Sequence, residues 1–170
     1  MPVIETVEIR QIRTKDDAEK VVFLVRQFVQ WLRDRYPDKH AEIDAYFESQ
    51  VLEKQLSSII ESSESAPCGV LLALMNDEPA GTVMLNRVDD ATCEMNRLFV
   101  PDEYRGHDIG RRLCVELIDT ARRLGYHRMR LSTGVHHTEA KGLYSSLGFR
   151  PCEKFHAGSS ISEFFDLSLN

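Results

Sequence analysis

The sequence predicts one α/β domain of the α+β kind, a mixed and mostly antiparallel central sheet of six to seven strands flanked by about four helices. Three observations lead there. Between Gly69 and Val100, three apolar or alternating stretches are separated by Asn76-Asp77-Glu78-Pro79 and by Asp89-Asp90, the pattern of an antiparallel meander. The last stretch passes Pro101 and a glycine-bearing loop into apolar residues at helical spacing (Ile109, Leu113, Leu117, Ile118, Ala121, Leu124), and a strand over 126–133 follows. This is a strand-helix-strand crossover, expected to be right-handed with its strands parallel. Finally, 170 residues with 42% hydrophobic content suffice for one core and leave no room for a second of similar size, so residues 1–170 form a single domain.

Taken in order, residues 7–12 alternate apolar with polar as a half-exposed first strand does. Thr14 with Asp16 and Asp17 is a helix start, and Val21, Val22, Leu24, Val25, Phe28, Val29 and Leu32 form the buried stripe of a helix ending near Pro37. A second helix is expected from Asp38 to about Ile60, with Ile43, Phe47, Val51, Leu52, Leu56, Ile59 and Ile60 inward. His40 reads as a solvated loop residue. The Ser- and Glu-rich link 61–67 leads to an apolar run over 69–75, as in a strand buried on both faces. Strands over 80–88 and 91–100 complete the meander. Gly125 caps the central helix, whose last turn holds Arg122 and Arg123. Beyond the strand over 126–133 come a short helix over 138–147 closed by Gly148, a strand over 149–155 and a final strand over 162–169.

The loop ahead of the central helix concentrates the chemistry. Gly106 and Gly110 flank the loop-to-helix junction, and the helix start has free N–H groups at the positive end of its dipole, which suits an anion such as a diphosphate. Arg105, Arg111 and Arg112 place cations there, in a chain whose net charge is −6. Taken alone, the glycine pair fits a mere tight turn as well. The G-x-G-x-x-G spacing is absent, and so is the Gly-Lys-Ser/Thr ending of a P-loop.

Two stretches carry a family resemblance. Arg105-Gly106-His107-Asp108-Ile109-Gly110 resembles the coenzyme A pyrophosphate loop of the GNAT acetyltransferases, Arg/Gln-x-x-Gly-x-Gly/Ala. Ala140-Lys141-Gly142-Leu143-Tyr144-Ser145-Ser146-Leu147-Gly148-Phe149 resembles the second signature of that superfamily, Ala-x-x-Leu-Tyr-x-x-x-Gly-Phe. The likeness runs from about Gly69 to Asp166 and implies a GNAT-like sheet. Two positions depart from the pattern. The middle glycine of the loop is Asp108, whose carboxylate must then point to solvent or cap a helix N–H. The asparagine often found three residues before the alanine is His137.

The resemblance implies acetyl-CoA as co-substrate, held by Arg105, Gly106, His107, Asp108, Ile109, Gly110 and Arg111 at its diphosphate. Along its pantetheine arm stand Leu98 and Val100 by their backbones, His137 and Tyr144. A backbone N–H near Leu98 would polarise the thioester carbonyl. Such strands bulge and splay in the family, yet nothing in residues 91–100 signals a bulge. Tyr144 stands at the family's general-acid position, and a phenol of pKa ~10 can protonate a thiolate; a core tyrosine with its hydroxyl at the rim is the plainer reading. Glu94 stands where several members keep a base, and also fits a solvated strand glutamate. Two helices after the first strand would wall the acceptor pocket, making Trp31, Tyr36, Tyr46 and Phe47 lining candidates, although aromatics at this spacing also fit plain core. Arg97 would reach the acceptor side and hold a carboxylate, or form a surface salt bridge.

The expected activity is N-acetylation of a primary amine on a small molecule, by direct attack in a ternary complex. A sensor that binds acetyl-CoA without turnover is the alternative, as is acetylation of protein lysines or N-termini. Net negative charge argues against a nucleic-acid surface. No stretch is long and apolar enough for a membrane span, and no targeting pattern opens the chain, so a cytoplasmic protein is expected. The four cysteines show no paired spacing, and Cys93, Cys114 and Cys152 read as small core residues. His136, His137 and Glu139 lack a third ligand at metal spacing, so no metal is expected. A homodimer, common among such relatives, is allowed.

Overall fold

A computed structural model describes residues 4–46, 54, 57–58, 61, 69–134, 138–155 and 162–170. Its strands are β1 (Val7–Gln11), β2 (Val70–Met75), β3 (Glu78–Arg87), β4 (Thr92–Phe99), β5 (Arg128–Gly134), β6 (Arg150–Pro151) and β7 (Ser162–Ser168). They form one sheet in the order β1-β2-β3-β4-β5-β7-β6, antiparallel at every junction except the parallel pair β4–β5. The described helices are α1 (Lys15–Arg35), α2 (His40–Tyr46), α3 (Ile109–Arg123) and α4 (Thr138–Ser146).

β2 explains the layering. All six of its residues are buried, and alternation sends Leu71, Ala73 and Met75 into the core under α3 while Val70, Leu72 and Leu74 join the core under α1. Thr14 caps α1, its hydroxyl accepting from the Asp17 N–H at 3.1 Å. Asp17 is itself buried and accepts from Arg10 at 2.6 Å, tying the helix start to β1. The β2–β3 turn puts Asn76 and Asp77 at φ 51 and 69, the left-handed pair of a two-residue hairpin. Against β3, α3 seats closely because Gly81 has no side chain: a Cβ there would stand 3.0 Å from both Ile109 Cγ2 and Leu113 Cδ1.

Several expectations change. The strand expected over 149–155 is two residues long, an edge strand on which Pro151, between hydrogen-bonded positions, withholds no bond from β7, and Cys152 donates its N–H to the Phe164 carbonyl just beyond it. His40 is not a loop residue: it opens α2, and its Nε2 lies 2.7 Å from the Arg33 carbonyl oxygen of α1. Ile43 is buried as expected, while Phe47, Val51, Leu52, Leu56, Ile59 and Ile60 lie outside the described residues. Cys93 and Cys114 are buried, but Cys152 follows β6 and is only half-buried. No helix among the described residues is long and apolar enough to cross a membrane.

Candidate active site

The site begins with an irregularity in β4. On β3, Thr82 faces Phe99 and Met84 faces Asn96, so two residues of β4, Arg97 and Leu98, stand against the single Val83. This is a β-bulge, and Arg97 sits in it at φ 54. The expectation of an unmarked strand is corrected here, because the bulge is a mismatch between two strands that neither sequence announces. On its other side β4 pairs with β5 only from Thr92↔Arg128 to Glu94↔Arg130, although both strands continue. Beyond that point they diverge.

The wedge opens into a cavity of about 480 Å³. Its lining includes Met95 to Phe99 of β4 and Val100 just after it, Ser132 and Thr133 of β5, Leu143 and Tyr144 of α4, and Phe28, Trp31 and Leu32 of α1. At one end it reaches Arg105, Gly106, Asp108, Ile109 and Gly110. Leu98, Val100, Tyr144, Arg97, Trp31 and the loop are therefore brought together around one void.

The loop is shaped by handedness. Gly106 at φ 85 and Asp108 at φ 63 turn the chain into α3, and Arg112 donates its N–H to the Asp108 carbonyl at 3.1 Å. The amides of Ile109, Gly110 and Arg111 precede that first bond, as the opening N–H groups of a helix do. A Cβ on Gly110 would make only ordinary contacts, 3.6 Å to Leu143 and 3.9 Å to Val100, so packing within the chain does not require this glycine. The Asp108 carboxylate caps no N–H, is 67% exposed and lies 3.8 Å from Arg111. Arg105 donates to the Val100 carbonyl at 3.2 Å, and Arg111 to Ser146 Oγ at 2.6 Å, bridging α3 to α4. His107 lies 3.0 Å from Glu5 and is not part of the cavity lining.

Tyr144 is 6% exposed, packs edge-on against Phe149 at 5.8 Å and still lines the cavity. Burial raises its phenol well above the usual range, helped by the nearby Cys114 thiol. Glu94 is placed differently. It lies outside the lining, 16% exposed, accepting from Arg130 at 3.2 Å, and Arg130 stacks over Phe155 at 4.1 Å. His137 lies outside the described residues.

On the α1 side of the cavity, Phe28, Trp31 and Phe99 form a wall with ring centroids 5.3 to 6.4 Å apart. Arg105 stacks on Trp31 at 5.3 Å and Arg35 at 5.1 Å, and Arg35 reaches Glu139 of α4 at 3.7 Å. Tyr36 lines the cavity as expected; the Tyr46 side chain and Phe47 lie outside the described residues. Phe28 was expected in the buried stripe of α1 and not as lining, although it lies one turn before Trp31 on the same helix face, and Phe99 was not marked as lining either. Glu42 went unmarked too. Its Oε1 accepts from Lys39 at 3.1 Å, while Oε2 is buried without a hydrogen-bond partner among the described residues. No three His, Cys, Asp or Glu side chains among the described residues cluster as a metal ion would need.

Comparison with known proteins places this geometry. The chain is 30% identical over 131 residues to an IAA acetyltransferase of Azospirillum brasilense, covering 77% of each. It is 35% identical over 106 residues to human N-acetyltransferase 8B, 58% of this chain and 46% of that one. It spans less than half the length of the first curated relatives it matches, 36%, 39% and 46%. In fold it is similar to the PaiA N-acetyltransferase of Thermoplasma acidophilum in complex with coenzyme A, with a TM-score of 0.73, 20% identity, and 96% and 99% of the two chains covered. The family model for the GNAT acetyltransferases matches residues 25–149, the stretch that holds the bulge, the loop and Tyr144, and the chain belongs to that family.

Proposed function

We propose that this protein transfers the acetyl group of acetyl-CoA to a primary amine on a small molecule by direct attack in a ternary complex. The observation that carries the reading is the wedge between β4 and β5, whose lining runs from Ile109 and Gly110 at the start of α3 past the bulge to Tyr144, with Arg111 outside it. Fold neighbours from Thermoplasma acidophilum and Salmonella typhimurium hold coenzyme A and acetyl-CoA, which supports the same co-substrate here.

In this reading the loop amides, Arg105 and Arg111 take the diphosphate, and Leu98 and Val100 bond the pantetheine arm as a neighbouring strand would. The Leu98 N–H polarises the thioester carbonyl. A neutral amine attacks the carbonyl carbon, the C–S bond breaks, and the departing thiolate takes the Tyr144 proton. The proton lost by the amine leaves through water toward Glu94, which precedes the lining residues Met95 and Asn96 on β4. Trp31 and Arg97 face the acceptor. Self-association as a dimer is carried over from the resemblance and is read by sedimentation.

Coenzyme A release over a panel of free amines and of peptides tests the proposal. Uptake of acetyl-CoA with release on free amines is the expected result. Uptake without any release favours the sensor, a reading to which the Glu94–Arg130 ion pair lends support, since that pair holds the candidate base away from the cavity. Release on peptides alone favours a protein substrate.

A further inference from the structure

Resting on the acetyl-transfer reading, we infer that Glu42 of α2 is an acceptor-binding residue and that the acceptor is a diamine, or an amine with a comparable cationic group, carried on an apolar body. One nitrogen is acetylated and the other stays protonated on the Glu42 carboxylate.

The carboxylate is only half engaged by the chain. Glu42 lines the cavity together with Trp31, Leu32, Tyr36 and Ile43. Its Oε1 accepts from Lys39, three residues earlier, at 3.1 Å, whereas Oε2 is shut off from solvent and accepts from no donor among the described residues. A carboxylate oxygen left in that state is costly to the fold. A water placed beside it would find few further partners against Trp31, Leu32 and Ile43. The side chain as a whole is 39% exposed and the terminal torsion of a glutamate is broad, so a small turn brings Oε2 to a donor in the cavity.

The chemistry of that oxygen selects the donor. A cationic N–H makes the stronger, charge-assisted bond to a carboxylate, and an acidic group is repelled by it. Trp31, on the same wall, already takes cations: the guanidinium groups of Arg35 and Arg105 stand 5.1 and 5.3 Å from its ring. The remainder of that wall, Phe28, Leu32, Ile43 and Phe99, is apolar, so methylenes or a ring between the two nitrogens gain burial, and a hydroxyl-rich spacer loses hydration without return. In the transfer itself the reacting nitrogen bonds the acetyl carbon as the C–S bond breaks and gives up its proton; the second nitrogen exchanges nothing.

The test follows coenzyme A release over α,ω-diaminoalkanes of increasing length, each beside the n-alkylamine and the ω-amino alcohol of the same length, so that the series also reads the distance between the two nitrogens. At one length or more, kcat/KM should be at least about tenfold higher for the diamine than for the alkylamine, with the amino alcohol between them. Glu42→Ala should bring the diamine-to-alkylamine ratio toward one through KM, and Glu42→Gln, which keeps an accepting oxygen and loses the charge, should fall between. Lys39→Met removes the ion pair and leaves the carboxylate, so the ratio should persist there; a Glu42 that only fastened α2 through Lys39 would lose it in both variants. No diamine advantage at any length, an amino alcohol equal to the diamine, an unchanged ratio in Glu42→Ala or a lost one in Lys39→Met each overturns the acceptor class. Where Glu42→Ala does not fold, the wild-type series and Lys39→Met decide. Absence of acetyl-CoA uptake by calorimetry, or uptake without release on any amine, is the separate result that removes the acetyl-transfer reading beneath it.

Discussion

Asp108 occupies a φ of 63, a conformation that glycine adopts freely and that aspartate and asparagine tolerate best among other residues. That is the physical reason why aspartate can stand in this turn where the GNAT loop pattern that this stretch resembles has glycine. The side chain has two opposed effects: it complements the positive end of α3, and it repels an anion bound there. Asp108→Asn retains the backbone preference and removes the charge. Coenzyme A should bind a few-fold more tightly, less so at high salt, while the melting temperature falls by the equivalent of about 0.3–1 kcal/mol; calorimetry at two ionic strengths reads both. Gly106 permits no such exchange. At φ 85, Gly106→Ala should lose about 1–2 kcal/mol and weaken coenzyme A binding with it. Tyr144→Phe should lower kcat by about 10²–10⁴ with coenzyme A affinity nearly unchanged. Because the Tyr144 phenol is raised by burial, an alkaline loss of activity below the usual tyrosine range must come from another group.

At the scale of elements, Gly81 decides how near α3 comes to the sheet. Gly81→Val would force Ile109 and Leu113 outward, for a loss of about 1–3 kcal/mol by overpacking, and would shift the first turn of α3 so that coenzyme A affinity falls in step with the melting temperature. A variant that is destabilised yet binds with full affinity would show the two to be separate. What the sequence made legible follows the same division between local and distant causes. Thr14, Asn76-Asp77 and Gly125 act on their own neighbours, so the ends of α1, β2 and α3 could be read directly. The loop ahead of α3 was legible because its glycine, arginines and helix start are contiguous. The bulge at Arg97 arises from a register between β3 and β4, and no glycine marks its positive φ. The Glu94–Arg130 pair joins residues thirty-six positions apart. Neither has a short-range signal.

Across the whole molecule, the buried acids set the response to alkali. Burial pushes the Cys93 thiol up to about 11 and the Cys114 thiol up to about 12, and raises Tyr144 as well. In the unfolded chain a thiol ionises near ~8.5 and a phenol near ~10. Above those values the unfolded state binds fewer protons than the native one, so stability declines as pH rises and the thiol part is fully lost only past about 11 to 12. Melting temperatures measured from pH 8 upward should fall steadily, and Cys114→Ala should flatten part of that slope even if it lowers the starting value.

Among the described residues, three residue pairs, Thr92↔Arg128 to Glu94↔Arg130, join β4 to β5 and so one half of the sheet to the other. Such a seam is narrow, and in the proposed reading a long guest lying in the wedge beyond it touches the margins of both halves. Amide exchange should therefore be faster in residues 95–99 and 131–134 than in β2 and β3 while the guest is absent, and should slow in both margins together once it is added.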